Sequence, residues 1–231
     1  MTYRTSKFRF INRGYKESML LVPGWATDSE IFEPLDLPFN YFLPEDISPL
    51  NFEEAFIRAT DELNTAGLHL LGWSMGGFIA ARLASKYPSM FNSVILVSVR
   101  RRYKKDEIEN IKGCIRKNAR AYLYKFYENL FSKSEGENRR WFKLRLARRY
   151  ITEMSPEFLL EGLDYLLQAE LECGGLAKSS VLFVHGDADG IAPIEEALAV
   201  KESLPKAEFF SINGARHLPF LREEFRVRMG F

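Results

Sequence analysis

Gly72-Trp73-Ser74-Met75-Gly76-Gly77 places a serine between glycines two residues before and two residues after it. Gly-x-Ser-x-Gly suits a point where a strand turns sharply into a helix, because side chains at the two glycine positions would collide across the bend. The flanks fit that geometry. Leu68-His69-Leu70-Leu71 is a short apolar run of the buried-strand type, and Phe78 to Ala84 reads as a helix that must stop before Pro88. Ser74 is therefore the candidate nucleophile.

Working outward, Met19 to Val22 reads as a strand that stops at Pro23-Gly24-Trp25, and Asn40 to Leu43 as another that stops at Pro44-Glu45-Asp46. Phe52 to Asn64 is expected to be helical, with Phe52, Ala55, Phe56, Ala59 and Leu63 on one face. Ser93 to Val99 and Val181 to Val184 are continuous apolar runs rich in β-branched residues, as in parallel strands covered on both faces. Ala207 to Ile212 supplies a last strand before the loop Asn213-Gly214-Ala215-Arg216-His217. Strands alternating with helices point to an α/β fold with a mostly parallel central sheet.

The alternation breaks between Arg100 and about Gly175, which is long, helical, charged and aromatic. This predicts an inserted helical lid over 100–175, with the core contributed by 1–99 and 176–231. Within it Ser155-Pro156-Glu157 marks a helix start, after which Leu160, Leu163, Leu167 and Leu171 are spaced for one face.

A chain of 231 residues with 46% hydrophobic content can bury a full core as one domain. The opening Met1 to Phe10 lacks the apolar core of a secretory signal, and no segment approaches the roughly 18 apolar residues needed to span a bilayer. A soluble, cytoplasmic, monomeric protein is expected. Cys114 and Cys173 are too few for a disulfide framework and have no paired spacing. The histidines are isolated, and no phosphate-binding glycine loop occurs, so no metal or cofactor is expected.

A neutral serine hydroxyl needs a general base, and the base needs an acid to set its tautomer. Of the three histidines, His69 lies inside a strand and reads as a packed residue. His185 ends a strand and could be structural or line the site. His217 follows the last strand, where the order Ser, acid, His of the α/β-hydrolases puts the base. Val184 to Pro193 offers two carboxylates, Asp187 and Asp189. The backbone N–H of Met75, just after the nucleophile, and that of Trp25, in the Pro23-Gly24-Trp25 loop, are the candidate donors to a developing oxyanion.

These features resemble the α/β-hydrolase superfamily over nearly the whole chain. The turn Gly186 to Pro193 is similar to one common there, in which the second acidic position holds the histidine. That likeness implies Asp189 as the acid and Asp187 as a turn former bonding nearby backbone N–H groups. Gly24-Trp25, the Ser74 elbow, the Asp189 turn and His217-Leu218-Pro219-Phe220 resemble the pimeloyl-[acyl-carrier-protein] methyl ester esterases of biotin synthesis. The resemblance implies a Ser74, Asp189 and His217 triad, with Trp25 and Met75 at the oxyanion and substrate-binding positions. Pro23 and Arg216 depart from the family pattern.

From Arg100 to Ile151 there are seventeen Lys and Arg against six Asp and Glu, a net of +11 that leaves −10 for the rest. A basic lid suits an acidic acyl carrier protein as partner, ahead of nucleic acid or membrane. Arg139, Arg140 and Lys143 are the residues whose charge reversal tests whether that segment faces it. Tyr122, Tyr124, Phe126, Tyr127, Phe131, Trp141 and Phe142 are expected to line an apolar passage. The rivals are an esterase or thioesterase for free small esters, a menaquinone-pathway lyase on the same fold, and a non-catalytic binding module.

Overall fold

Among the described residues seven strands form one sheet in the order β1-β3-β2-β4-β5-β6-β7: β1 (Lys7–Ile11), β2 (Ser18–Val22), β3 (Asn40–Asp46), β4 (Leu68–Trp73), β5 (Phe91–Val97), β6 (Ser180–Gly186) and β7 (Glu208–Ile212). The computed structural model describes residues 6–63, 67–171, 173–176 and 179–230. Residues 1–5 and Asn64, the expected helix end, lie outside them, as does the side chain of Leu63. All pairings are parallel except that of β1 with β3. The central strands are buried in runs of consecutive residues, which explains why they read as unbroken apolar stretches.

Several strand boundaries differ from expectation, and at two of them the local structure gives the reason. β3 continues through Pro44 to Asp46, because β2 leaves it after the Leu20 and Phe42 pair and only β1 remains alongside. A proline is tolerated on such an edge-like stretch. β5 stops at Val97 rather than Val99, where Ser98 takes a positive φ of 49° and turns the chain. The antiparallel β1 was not anticipated. Its exposed lysine and arginine alternate with Phe8 and Phe10, and the Phe8 ring joins Phe42, Phe52 and Phe56 under helix α1 (Phe52–Leu63).

Helix α2 (Met75–Lys86) packs on β2, β4 and β5 directly behind the elbow. Between β5 and β6 the described chain is helical: α3 (Lys105–Asn129), α4 (Gly136–Phe142), a π-helical stretch at Lys143–Ala147, α5 (Arg148–Glu153) and α6 (Pro156–Gln168). Extended backbone at Asn118 interrupts α3, and the Asn118 side chain accepts the Ala121 N–H at 3.0 Å to restart it. α7 (Ile194–Glu202) and α8 (Glu223–Arg228) complete the chain. Among the described residues no helix is long and apolar enough to cross a membrane.

The buried face of α6 is Leu159, Gly162, Leu163 and Leu166, not the expected series through Leu160, Leu167 and Leu171. Both series have helical spacing, and packing against α3 and Trp25 selects between them. Leu171 is buried but lies beyond the helix.

Candidate active site

Ser74 sits between the end of β4 and the start of α2 with φ 54° and ψ −119°. That is strained backbone for a non-glycine residue, held by Ser74 N–H to Val97 O at 2.9 Å and Gly77 N–H to Ser74 O at 2.9 Å. The neighbouring glycines make the bend possible. A Cβ on Gly72 would lie 2.5 Å from Ala80 Cβ, and one on Gly76 would lie 2.1 Å from the Val22 carbonyl oxygen. Gly76→Ala is therefore expected to cost on the order of 3 kcal/mol, since the obstacle is main chain of a central strand. Urea unfolding reads that loss directly, and an unchanged midpoint would show that the elbow relaxes around the methyl group.

β6 and β7 are paired neighbours whose ends bring the acid turn and the histidine loop together. The Ser74 hydroxyl donates to His217 Nε2 at 2.9 Å, and His217 Nδ1–H donates to Asp189 Oδ2 at 2.7 Å. Asp189 Oδ1 accepts the N–H groups of Ile191 and Ala192 at 2.9 and 3.0 Å. Burial pushes the Asp189 pKa up, but the charge of His217 and these hydrogen bonds outweigh it and hold the carboxyl below its usual range. The backbone of His217 is fixed as well, with its N–H on Leu130 O at 3.2 Å and its carbonyl accepting Trp73 Nε1–H at 2.6 Å.

The other polar residues of this region take supporting places. His69 shares a hydrogen bond with Ser93 and packs on Phe39 within the sheet. His185 is fully buried, donates from Nε2 to Ala192 O at 2.7 Å and lies 3.7 Å from Asp189 Oδ2. Its burial lowers its pKa, which favours the neutral ring. Asp187 does not bond the N–H groups of its own turn; its carboxylate reaches across to Gly214 N–H at 2.7 Å, because the ends of β6 and β7 lie side by side.

Met75 is the first residue of α2, where helix N–H groups have no partner inside the helix. Gly24 brings the Trp25 loop against Ser74, since a Cβ there would lie 3.1 Å from the Ser74 Cβ. The Trp25 indole donates to Leu159 O at 2.9 Å and meets Phe126 edge-on. Gly162 lets α6 approach, for a Cβ there would lie 2.6 Å from the Trp25 ring.

A cavity of about 350 Å³ opens at Ser74, walled by Trp25, Ile108, Tyr122, Phe126, Leu163 and Leu166. Of the seven aromatics expected to line a passage, only Tyr122 and Phe126 do so. Tyr127, Phe131 and Phe142 are buried in the packing among the helices, Trp141 is half-buried, and Tyr124 is exposed. Residues 122 and 126 are one helical turn apart and share a face, while 123 and 127 point into the helix packing.

Tyr103, which sequence reasoning missed, also lines the cavity beside Ser74. Burial pushes its pKa up to about 12, so its phenol remains a donor at neutral pH. The Arg100 guanidinium lies 4.6 Å over its ring. Arg100 is thus turned inward, buried, and paired with Glu107 and Glu196, rather than part of a solvated basic surface. Arg101, Lys112, Arg139, Lys143, Arg145 and Arg149 also pair with carboxylates.

A family model described as alpha/beta hydrolase fold matches residues 43–224. The chain belongs to that family. Among curated proteins, this α/β hydrolase is 28% identical over 169 residues to a pimeloyl-[acyl-carrier protein] methyl ester esterase of Chromobacterium violaceum, covering 67% of this chain and 65% of that protein, just under two thirds of its length. It is 26% identical over 235 residues to the protein of the same name from Xanthomonas oryzae pv. oryzae, covering 90% of each. Among solved structures, an esterase from Exiguobacterium antarcticum superposes with a TM-score of 0.82 at 19% identity, covering 97% of this chain and 92% of that one. That likeness is one of fold.

Proposed function

We propose that this α/β hydrolase is a serine carboxylic ester hydrolase that cleaves the methyl ester of a pimeloyl chain borne by an acyl carrier protein. The observation that carries the ester hydrolase reading is the Ser74, His217 and Asp189 relay, at 2.9 and 2.7 Å, on the floor of an apolar cavity. The naming of the relatives supports the finer substrate.

His217 Nε2 takes the Ser74 proton as Oγ attacks the ester carbonyl, and the N–H groups of Met75 and Trp25 receive the oxyanion. The tetrahedral intermediate collapses as the imidazolium returns its proton to the departing methoxy oxygen, releasing methanol. Water, deprotonated by His217, then attacks the acyl-enzyme and frees the carboxylic acid and Ser74. Asp189 stays ionised throughout and stabilises the imidazolium. The helices over 100–175 act as the lid, with the acyl chain in the cavity walled by Trp25, Tyr122, Phe126 and Leu163.

Arg116, Lys117 and Arg120 are exposed on the middle of α3 and, among the described residues, form no ion pair, while Arg139 and Lys143 are tied to Glu128. The α3 cluster is therefore the better test of carrier recognition. Carrier-bound and free methyl esters of the same acid are compared in rising salt, which shortens the Debye length from about 10 Å at 0.1 M to about 3 Å at 1 M. The carrier-bound ester is expected to be preferred by about tenfold or more at low salt and to lose that preference at high salt. Reversing the three α3 charges should reproduce the salt effect. Equal kcat/KM for both substrates, with equal salt response, would favour a free small ester as substrate.

A further inference from the structure

The loop that carries His217 is held from two sides. Toward the sheet, Ala188 N–H donates to Ala215 O at 3.0 Å and Asp187 binds Gly214 N–H. Toward the helical segment, the turn between α3 and α4 receives the next two residues: His217 N–H donates to Leu130 O, and Arg216 N–H donates to Glu135 Oε2 at 3.3 Å. The same carboxylate oxygen accepts Ser132 N–H at 2.6 Å, which fixes it in its own turn. Asn138 adds a second link, from its side-chain amide to Leu221 O at 3.0 Å.

Glu135 is only 3% exposed, and its other oxygen, Oε1, is buried without a hydrogen-bond partner. Such an arrangement costs free energy, and a turn could be capped by a smaller polar side chain without it. What the longer carboxylate adds is reach, from Ser132 in its own turn to the residue before the base. We propose that Glu135 is a positioning residue for His217, which places the imidazole only when the turn at 130–135 is seated against the histidine loop. The inference rests on the serine hydrolase reading of the site. It makes the base, rather than the nucleophile, the part of the site that depends on the helical segment, since the Ser74 backbone is held by the elbow and by Val97 of β5.

The test compares Glu135→Ala and Glu135→Gln in the full chain. In Glu135→Ala, kcat for a methyl ester is expected to fall by about tenfold to a hundredfold, the scale of a small misplacement of a reacting group, with KM within about twofold. Glu135→Gln keeps an oxygen that can accept both N–H groups and should retain most of the activity. Proton NMR supplies a readout that needs no turnover: the low-field His217 Nδ1–H resonance should persist in Glu135→Gln and broaden or vanish in Glu135→Ala. Should Glu135→Ala not fold, Glu135→Asp, whose carboxylate is one methylene shorter and pulls the shared oxygen back from Arg216, carries the same expectation. Unchanged kcat and an unchanged resonance in the Ala or Asp variant would overturn the proposal, as would equal losses in Gln and Ala. Full activity in Ser74→Ala would instead overturn the serine hydrolase reading, and the NMR comparison would still stand.

Discussion

Ser74→Ala is expected to lower kcat for ester hydrolysis by about 10^4 to 10^6 while leaving the fold intact. The members of such a site act as a unit, so removing the nucleophile costs nearly as much as removing all three groups. The structural cost is small by comparison. Ser74 loses one hydrogen bond to His217, and the elbow itself depends on Gly72 and Gly76 rather than on the hydroxyl. Steady-state kinetics on a methyl ester, paired with circular dichroism, separate the two effects. Near-normal turnover by a folded Ser74→Ala protein would remove the nucleophile from the mechanism.

The second large effect separates two carboxylates two residues apart. Asp189→Asn should cost about 10^4 in kcat, because an amide facing His217 Nδ1 favours the wrong tautomer and offers no charge to an imidazolium. The native carboxylate is suited to that task, for one oxygen is held by Ile191 and Ala192 and the other is left for the histidine. Asp187→Asn should stay within about tenfold, since an amide oxygen can still accept the Gly214 N–H that Asp187 binds. Side-by-side kinetics decide: the reverse order of effects would make Asp187 the acid.

The elbow and the central strands were legible because their signals are local. Gly72, Ser74 and Gly76 lie within five residues, and β2, β4, β5 and β6 are apolar runs whose composition follows from burial on both faces. β1 was not, because it is a short edge strand of alternating charge and aromatic character that becomes a strand only by pairing with β3. The face of α6 was misread because two leucine series share one period and only the neighbours α3 and Trp25 choose between them. Tyr103 and Glu135 carry no motif. Each gains its place through partners distant in sequence, Tyr103 beside Ser74 in the cavity and Glu135 beside Arg216 in the histidine loop. The basic character of 100–151 was visible as a count, but its pairing with Asp28, Glu33, Glu170 and Glu196 depends on chain segments folded against it.

The most direct measurement is to treat the protein with a reactive organophosphonate and map the adduct by peptide mass spectrometry, in the native chain and in His217→Ala. The reagent reports the activated hydroxyl itself, independent of which ester or carrier is the substrate. The expected result is a single adduct on Ser74, in the peptide containing Gly72 to Gly77, with labelling slowed by orders of magnitude in His217→Ala. An adduct on another residue, or labelling of Ser74 that proceeds at the same rate without His217, would contradict a nucleophile activated by that histidine.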